Sequence, residues 1–547
     1  MVFILSLFFA ALLTTVLIPV CMRAGFKAGM VDIPNARKVH SEAIPRTGGI
    51  ALVIGTLIPF VATTHMDSTA FGIGLGAVLI LILGIFDDLL DLDYRLKLFG
   101  QIAVVVLTLS VSGLRFSIVS ELWPESGFDA SFPTFLLSVV FLLATINAIN
   151  LADGLDGLAA GICLLIFTST GFLAYIQNGQ GALGLCICMI GASIGFLRFN
   201  THPAIVFMGD TGSQFLGFMV GIAMMLLGHA RGGNSSVLAL YLIGIPVLDT
   251  LLVIIERIIG RRSIFKPDMN HLHHKLLKMG LKHSHAVVLI YATQLGIILV
   301  GWRFRSFTSG SLLAAYVCLM SVCIAILLMV KVRPIGSFVG GAITQELVNN
   351  RPALRRLRIM VSQVSWFSLI GALSIFYLFS PIWGRPIAKD VGAYSLIFSA
   401  LVLGFKITRK NVPGVIFRLS AYFVALYYVV LFDLGKNQIA WNPTWVNTCL
   451  FFLIGISYFC HLISTNDEIP IVTMDYLLLA VVVFTFFLPP ALLQTYHVHT
   501  ITAKILVTFL GFELVYYKLR TKNYILAAGL LPALGLNFVM AFWPWVL

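Results

Sequence analysis

Charge is scarce in this chain. Of its 547 residues only 11% are charged, while 59% are hydrophobic, and the mean hydropathy is +0.98. Soluble domains carry about 25% charged and 45–50% apolar residues, so an ordinary soluble fold is excluded. Cysteine is sparse too: the eight thiols lie within or beside apolar stretches and none forms a C-x-x-C pair. That excludes a zinc ribbon, a dithiol redox motif and a disulfide framework. Cys186 and Cys188 read as packing residues. No nucleic-acid-binding motif accompanies the net charge of +13, which reads as basic loops kept on the cytoplasmic side of a membrane. The first apolar run, Val2 to Val20, has no basic residue before it and is followed by Arg23 and Lys27. It therefore reads as a retained span and not as a signal peptide.

What the chain has in abundance is apolar runs long enough to cross a bilayer, about eighteen of them. The expected fold is an all-α polytopic membrane bundle. It has about eleven spans in residues 1–330, a basic cytoplasmic linker at 331–360, and about seven further spans in 361–547. The spans of the first half are placed near 2–23, 48–64, 71–86, 98–114, 132–149, 157–176, 181–198, 211–228, 236–256, 286–302 and 311–330. Loops after odd-numbered spans hold most of the basic residues, among them Lys27, Arg46, Lys97, Arg261 and Lys275. By the positive-inside rule those loops are cytoplasmic and the N-terminus is outside.

Five polar clusters interrupt the apolar pattern, each in an odd loop. They are His40 to Gly49, Asp87 to Lys97, Asn147 to Gly157, Asn200 to Ser213, and Asp268 to His274. Ionisable groups are costly near hydrocarbon and normally face a cavity or the interface. The adjacent Asp87 and Asp88 suit a cation or a phosphate-bound proton, and Lys97 could neutralise a phosphate. Taken singly, these residues also read as a solvated acidic loop and an interfacial lysine. Asn147, Asn150, Asp153 and Asp156 recur every three residues, the spacing of one helix face. Glycines flank Asp210 at the start of a span, an arrangement expected to offer backbone N–H groups to an anion, with Asp210 able to hold a divalent metal. His271, His273 and His274 lack zinc-site spacing and fit hydrogen-bonding contacts to a diphosphate. His283 and His285 receive no role.

In this order, the clusters resemble those of the polytopic polyprenyl-phosphate N-acetylhexosamine-1-phosphate transferases of glycosyl transferase family 4, over about residues 1–330. The resemblance implies transfer of a sugar-1-phosphate from a UDP-sugar to a polyprenyl phosphate, with release of UMP, at the start of cell-envelope polysaccharide synthesis. It implies Mg²⁺ or Mn²⁺ held by Asn150 and Asp210, and acceptor activation or phosphate contact by Asp87, Asp88 and Lys97. It implies uracil recognition and stacking by Asp156 and Phe207, further pocket contacts from Asp153 and Asn200, and sugar-diphosphate contacts from His271, His273 and His274. The H-L-H-H run after Pro267-Asp268 and the Pro246 to Thr250 segment follow the GlcNAc type. The implied donor is UDP-GlcNAc, with UDP-MurNAc-pentapeptide transfer, a transporter or a non-catalytic scaffold as alternatives. The implied setting is the inner membrane with the site facing the cytoplasm; a homodimer or envelope-polysaccharide pathway proteins are candidate partners. Residues 361–547 extend beyond the family's usual end, and the resemblance assigns them nothing.

Overall fold

The computed structural model describes residues 2–33, 43–122, 131–229, 235–261, 271–329, 352–383, 389–407, 498–519 and short pieces between 418 and 539. Among the described residues, one compact unit lies within Met1–Gly336, and a second draws on Ser337–Ile471 and Val482–Leu547.

The first unit is helical. Its main elements are α1 (Val2–Ala28), α2 (Gly48–Thr63), α3 (Ser68–Leu90), α4 (Tyr94–Ser112), α5 (Ile118–Leu122), α6 (Ser131–Ala152) and α7 (Leu158–Ile176). They continue with α8 (Gln180–Asn200), α9 (Gly209–His229), α10 (Ser235–Leu242), α11 (Gly244–Ile259), α12 (Leu272–Lys278), α13 (His283–Phe304) and α14 (Ser309–Met329). The helix ends follow local chemistry. Asp67 caps α3 by accepting from the Ala70 N–H at 2.7 Å, and Asp93 caps α4 by accepting from the Arg95 N–H at 3.2 Å. Only three residues separate α3 from α4. Asp91 takes a left-handed conformation there, and the chain reverses at the edge of the future site.

Helix α9 is the hub. It packs against α2, α3, α6, α7, α8 and α10, and its apolar stretch is 89% buried, against 17% for α14. Small residues let backbones approach, as is usual where helices associate in lipid. A Cβ on Gly84 of α3 would lie 2.4 Å from Thr211 Cα, and one on Gly49 of α2 would lie 2.3 Å from the Gly212 nitrogen. The outward faces of α3 and α4 expose Val78, Ile82, Phe86, Phe99 and Ile102, as expected of surfaces solvated by lipid. A two-stranded antiparallel ribbon, β1 (Val31–Asp32) with β2 (Ile44–Pro45), ties the end of α1 to the start of α2. Arg46 binds Asp32 beneath it.

Among the described residues nine helices are long and apolar enough to cross a membrane, or ten if the bent pair α10–α11 counts as one. The chain is thus an all-α multi-pass membrane protein. The expected unbroken span at 236–256 is instead two helices bent by 75°. Gln294 of α13 repairs the break: its carbonyl accepts from the Ile245 N–H at 2.9 Å and its amide donates to the Leu242 carbonyl at 2.7 Å. Backbone groups freed in a membrane must find such partners. Pro246, lacking an N–H, and Gly244 mark this point in the sequence.

The second unit contains helices Pro352–Trp383, Lys389–Ile407 and Val498–Leu519, with Phe376, Tyr377, Phe423 and Tyr428 among its buried aromatics. Arg418 is buried there in an ion pair with Glu513, which also accepts from the Tyr422 hydroxyl.

Candidate active site

The polar residues of α3, α4, α6 and α9 meet at one end of the first unit. Lys97 is the centre. Its Nζ lies 2.6 Å from Asp87 Oδ2 and 2.6 Å from Asp210 Oδ1, joining α3 to α9 through one ammonium group. Asn150 of α6 donates to the same Asp210 oxygen at 2.6 Å and to Ser213 Oγ at 2.7 Å. Asp87 Oδ2 also accepts from Gln214 Nε2 at 2.9 Å. Asp87 is buried, whereas the Asp210 side chain stays 34% exposed, so the ring opens to ligand on the Asp210 side.

Asp88 does different work from its neighbour. Its Oδ1 accepts from the Asp210 N–H at 2.9 Å, and its Oδ2 accepts from the Thr211 N–H at 2.9 Å and the Thr211 hydroxyl at 2.6 Å. Asp88 thus caps α9 from another helix, a placement favoured by the partial positive charge there. Gly209, with φ +68°, leaves no room for a side chain: a Cβ would lie 2.5 Å from Asp88 Oδ2. The N–H groups at Asp210 and Thr211, expected from sequence to face an anion, are taken up by Asp88.

The three-residue spacing of Asn147, Asn150, Asp153 and Asp156 is only half helical. Asn147 and Asn150 lie on α6, which ends at Ala152, and Asp153 and Asp156 fall in the following turn. Gly157 closes that turn in a left-handed conformation, φ +78°. Asn200 fastens it: its carbonyl accepts from the Gly157 N–H at 3.0 Å and its amide donates to the Val206 carbonyl at 2.9 Å. Asp153 as a residue retains some solvent contact, but burial of its carboxyl, and then the nearby Asp210, Asp88 and Asp156, push that group up to about 8.

Phe207 is joined to β2 and α2 through its backbone, its N–H donating to Pro45 O at 2.8 Å and its carbonyl accepting from Gly48 N at 2.9 Å. Asp156 accepts from His202 Nδ1 at 2.7 Å and from the Ala204 N–H at 3.2 Å. His202 in turn stacks on His283, ring centroids 4.1 Å apart and planes at 15°. Asp156, His202 and His283 bring ligand atoms within 4.8 Å of one another. The Asp156 carboxylate is already engaged by His202 and by the Ala204 N–H, an arrangement that fixes its orientation. Neither histidine stood out in the sequence.

In the histidine run, His271 is anchored to Asp249 of α11 through Nδ1 at 2.9 Å, and the Leu272 N–H donates to the same carboxylate at 2.6 Å. His273 is buried, with Nε2 lacking a hydrogen-bond partner and aimed at Gly154. Burial lowers its pKa to about 4, so it is neutral at physiological pH; burial and neighbouring cations lower His274 as well. His40 and Asp268 of the predicted clusters lie outside the described residues.

The oxygen-rich set of Asp210, Asn150 and neighbouring carboxylates, free of thiols, matches the donors preferred by a hard divalent cation such as Mg²⁺. Asn150 would present its carbonyl oxygen by turning its amide. Lys97 already places positive charge in the ring, in contact with Asp87 and Asp210.

Known proteins resemble this chain in sequence. Residues 70–228, which carry the ring, match the model of glycosyl transferase family 4. A probable undecaprenyl-phosphate N-acetylglucosaminyl 1-phosphate transferase of Bacillus subtilis is 34% identical over 344 residues, 62% of this chain and 93% of its own length. The undecaprenyl-phosphate alpha-N-acetylglucosaminyl 1-phosphate transferase of Yersinia pestis is 32% identical, covering 52% of this chain and 79% of its own. The decaprenyl-phosphate N-acetylglucosaminephosphotransferase of Mycolicibacterium smegmatis is 32% identical, covering 56% and 82%. With nearly the whole length of the Bacillus protein matched and the family's region centred on the four-helix polar ring, the chain belongs to glycosyl transferase family 4.

Proposed function

We propose that this protein transfers GlcNAc-1-phosphate from UDP-GlcNAc to a polyprenyl phosphate, releasing UMP, on the cytoplasmic side of an inner membrane, as the first step of an envelope polysaccharide. The observation that carries the reading is the Asp87–Lys97–Asp210–Asn150 ring, drawn from four membrane helices and open on one side.

In this reading an oxygen of the lipid phosphate attacks the phosphorus that bears the sugar. A new P–O bond forms, the diphosphate P–O bond breaks, and the electron pair leaves on UMP. Two anions must meet, so positive charge matters most. Lys97 supplies a fixed ammonium group between the carboxylates that flank the reacting phosphates. Mg²⁺, held by Asp210 and the Asn150 carbonyl, would supply Lewis-acid stabilisation of the diphosphate. Asp87 acts on the acceptor phosphate through Lys97, whose ammonium group it holds. That phosphate is largely dianionic at neutral pH, its second pKa being about 6, so proton removal by Asp87 adds little. Asp156, held by His202, faces the uracil edge, with Phe207 as its stacking surface. Neutral His273 lies against the backbone of Gly154 beside Asp153 and can donate to the sugar diphosphate without contributing charge.

The test uses purified full-length protein in detergent with UDP-GlcNAc, undecaprenyl phosphate and Mg²⁺, following UMP and the lipid-linked sugar. Asp210→Asn should lower kcat by about 100-fold or more, and a chelator should abolish product. UMP release from a different UDP-sugar would retain the chemistry and replace the donor. No product from any UDP-sugar would sink the reading.

A further inference from the structure

Beneath the catalytic ring runs a second line of polar groups that the reaction does not touch. Asn147 Nδ2 donates to Gln101 Oε1 at 2.9 Å, and Gln101 Nε2 donates to Gln214 Oε1 at 2.9 Å. Gln214 Nε2 then donates to Asp87 Oδ2 at 2.9 Å. The line begins at the backbone of α6, where Asn147 Nδ2 also donates to the Leu143 carbonyl at 2.8 Å. Gln101 and Gln214 are both fully buried, 0% exposed.

Every bond in this line has a fixed sense. The carboxylate of Asp87, when ionised, can only accept, so Gln214 must present its amide and turn its carbonyl to Gln101. Gln101 must then donate and turn its own carbonyl to Asn147. A buried amide that flips loses both bonds and leaves polar groups unpaired at about 1–3 kcal/mol each, so the orientation is locked. The line crosses four helices, α6, α4, α9 and α3. It also parallels the ring above it. Asn147 lies three residues before Asn150 on α6, Gln101 four after Lys97 on α4, and Gln214 four after Asp210 on α9, so each is one turn below a residue of the ring.

We infer that Asn147, Gln101 and Gln214 form a positioning relay that sets the Asp87 carboxylate against the Lys97–Asp210–Asn150 side of the site, and so fixes the distance between acceptor and donor phosphates. The inference rests on the transferase reading. Gln101 and Gln214 are too deeply buried to touch substrate. Gln214 acts on Asp87 directly; Gln101 acts only through Gln214, and Asn147 only through Gln101. Apolar residues of similar size would satisfy packing at these buried sites, so their polarity needs a reason, and the one acceptor at the end of the line is a carboxylate of the site. Lys97 holds the same oxygen, and with both donors in place the carboxylate is tied to α4 and α9 at once.

The test is a kinetic cycle in the full-length protein with UDP-GlcNAc, undecaprenyl phosphate and Mg²⁺. Gln214→Leu should lower kcat by about tenfold or more, the scale expected when a reacting group is misplaced, with KM for both substrates within about twofold. Gln101→Leu should show a smaller fall of the same kind. The double variant Gln101→Leu/Gln214→Leu removes both partners of the central bond and restores an apolar pair, so it guards against a folding defect. It should be no slower than Gln214→Leu alone, because Gln101 has no path to Asp87 once Gln214 is gone. In an Asp87→Asn background, Gln214→Leu should add little to the remaining rate. Multiplicative losses in the double variants, or a wild-type kcat in Gln214→Leu, would overturn the relay while leaving the transferase intact. A wild type that makes no product with any UDP-sugar would overturn the transferase and the relay with it.

Discussion

Two adjacent aspartates show how identical chemistry divides by direction. Asp87 points into the ring and Asp88 points to the start of α9, because side chains one residue apart on a helix lie on different faces. The consequence is measurable. Asp88→Ala orphans two backbone N–H groups and a hydroxyl, so it should lower the melting temperature in detergent, at about 1–3 kcal/mol of lost stability, and reduce activity through the displaced Asp210. Asp87→Asn keeps the shape of its side chain and leaves Lys97 paired with Asp210, so it should melt close to wild type while losing activity. Equal melting temperatures for the two variants would refute this division. Asp153 carries a pH prediction. Its carboxyl titrates near 8 against an ordinary value of 3.8. An acid shifted upward contributes stability that is complete below its unfolded pKa and is lost as pH rises through the folded one. Asp153→Asn should therefore raise the melting temperature relative to wild type at pH 9 in metal-free buffer, by about 2 °C, by a smaller amount at pH 6, and not at all well below pH 4, where both states are protonated. A gain at pH 6 equal to that at pH 9 would show the group to be ionised throughout.

Elements decide how closely the catalytic groups approach, and glycine sets that closeness. Gly84 lies one turn before Asp88 on the face of α3 that meets Thr211, so Gly84→Ala must force α3 and α9 apart beside Asp87 and Asp210. Loss of kcat by about tenfold with retained membrane insertion is the expected result; unchanged kinetics would mean that the α3–α9 approach is not needed. At this scale much was legible in the sequence. Apolar runs with short polar breaks predicted α3, α4, α6, α7, α8 and α9 closely, since in lipid a long apolar run has helix as its one open solution. The break between α10 and α11 was not foreseen, because hydropathy continues across it and the groups that repair it come from Gln294, fifty residues away in sequence. Within the site, the carboxylates and asparagines stood out because they sit at span ends. Gln101, Gln214, His202 and His283 did not: the glutamines lie one helical turn from Lys97 and Asp210, a spacing that gains meaning only once those two are known to face each other, and the two histidines meet only in three dimensions.

Across the whole molecule, the polar groups that meet around Lys97 all lie within Met1–Gly336, and this unit contains its own hub helix, its own lipid-facing surface and the repaired break at α10–α11. The matched length of the Bacillus relative amounts to 62% of the chain, close to the share that this unit occupies. Among the described residues of the second unit, the ionic contact of note is Arg418 with Glu513, inside an aromatic setting of Tyr422 and Tyr516. A buried cation held by one carboxylate and an aromatic face suits a structural tie more than phosphate chemistry, since its charge is already matched. A chain ending after Gly336 should therefore insert into membranes and form the lipid-linked sugar in detergent with kcat within about threefold of full length, since no group of the ring is removed. The partner measurement is Glu513→Gln in the full-length chain, which should lower the melting temperature of the second unit and leave transfer unchanged. If the shortened chain inserts, melts cooperatively and yet makes no product, the second unit contributes to the reaction itself, and the division of labour proposed for the two halves fails.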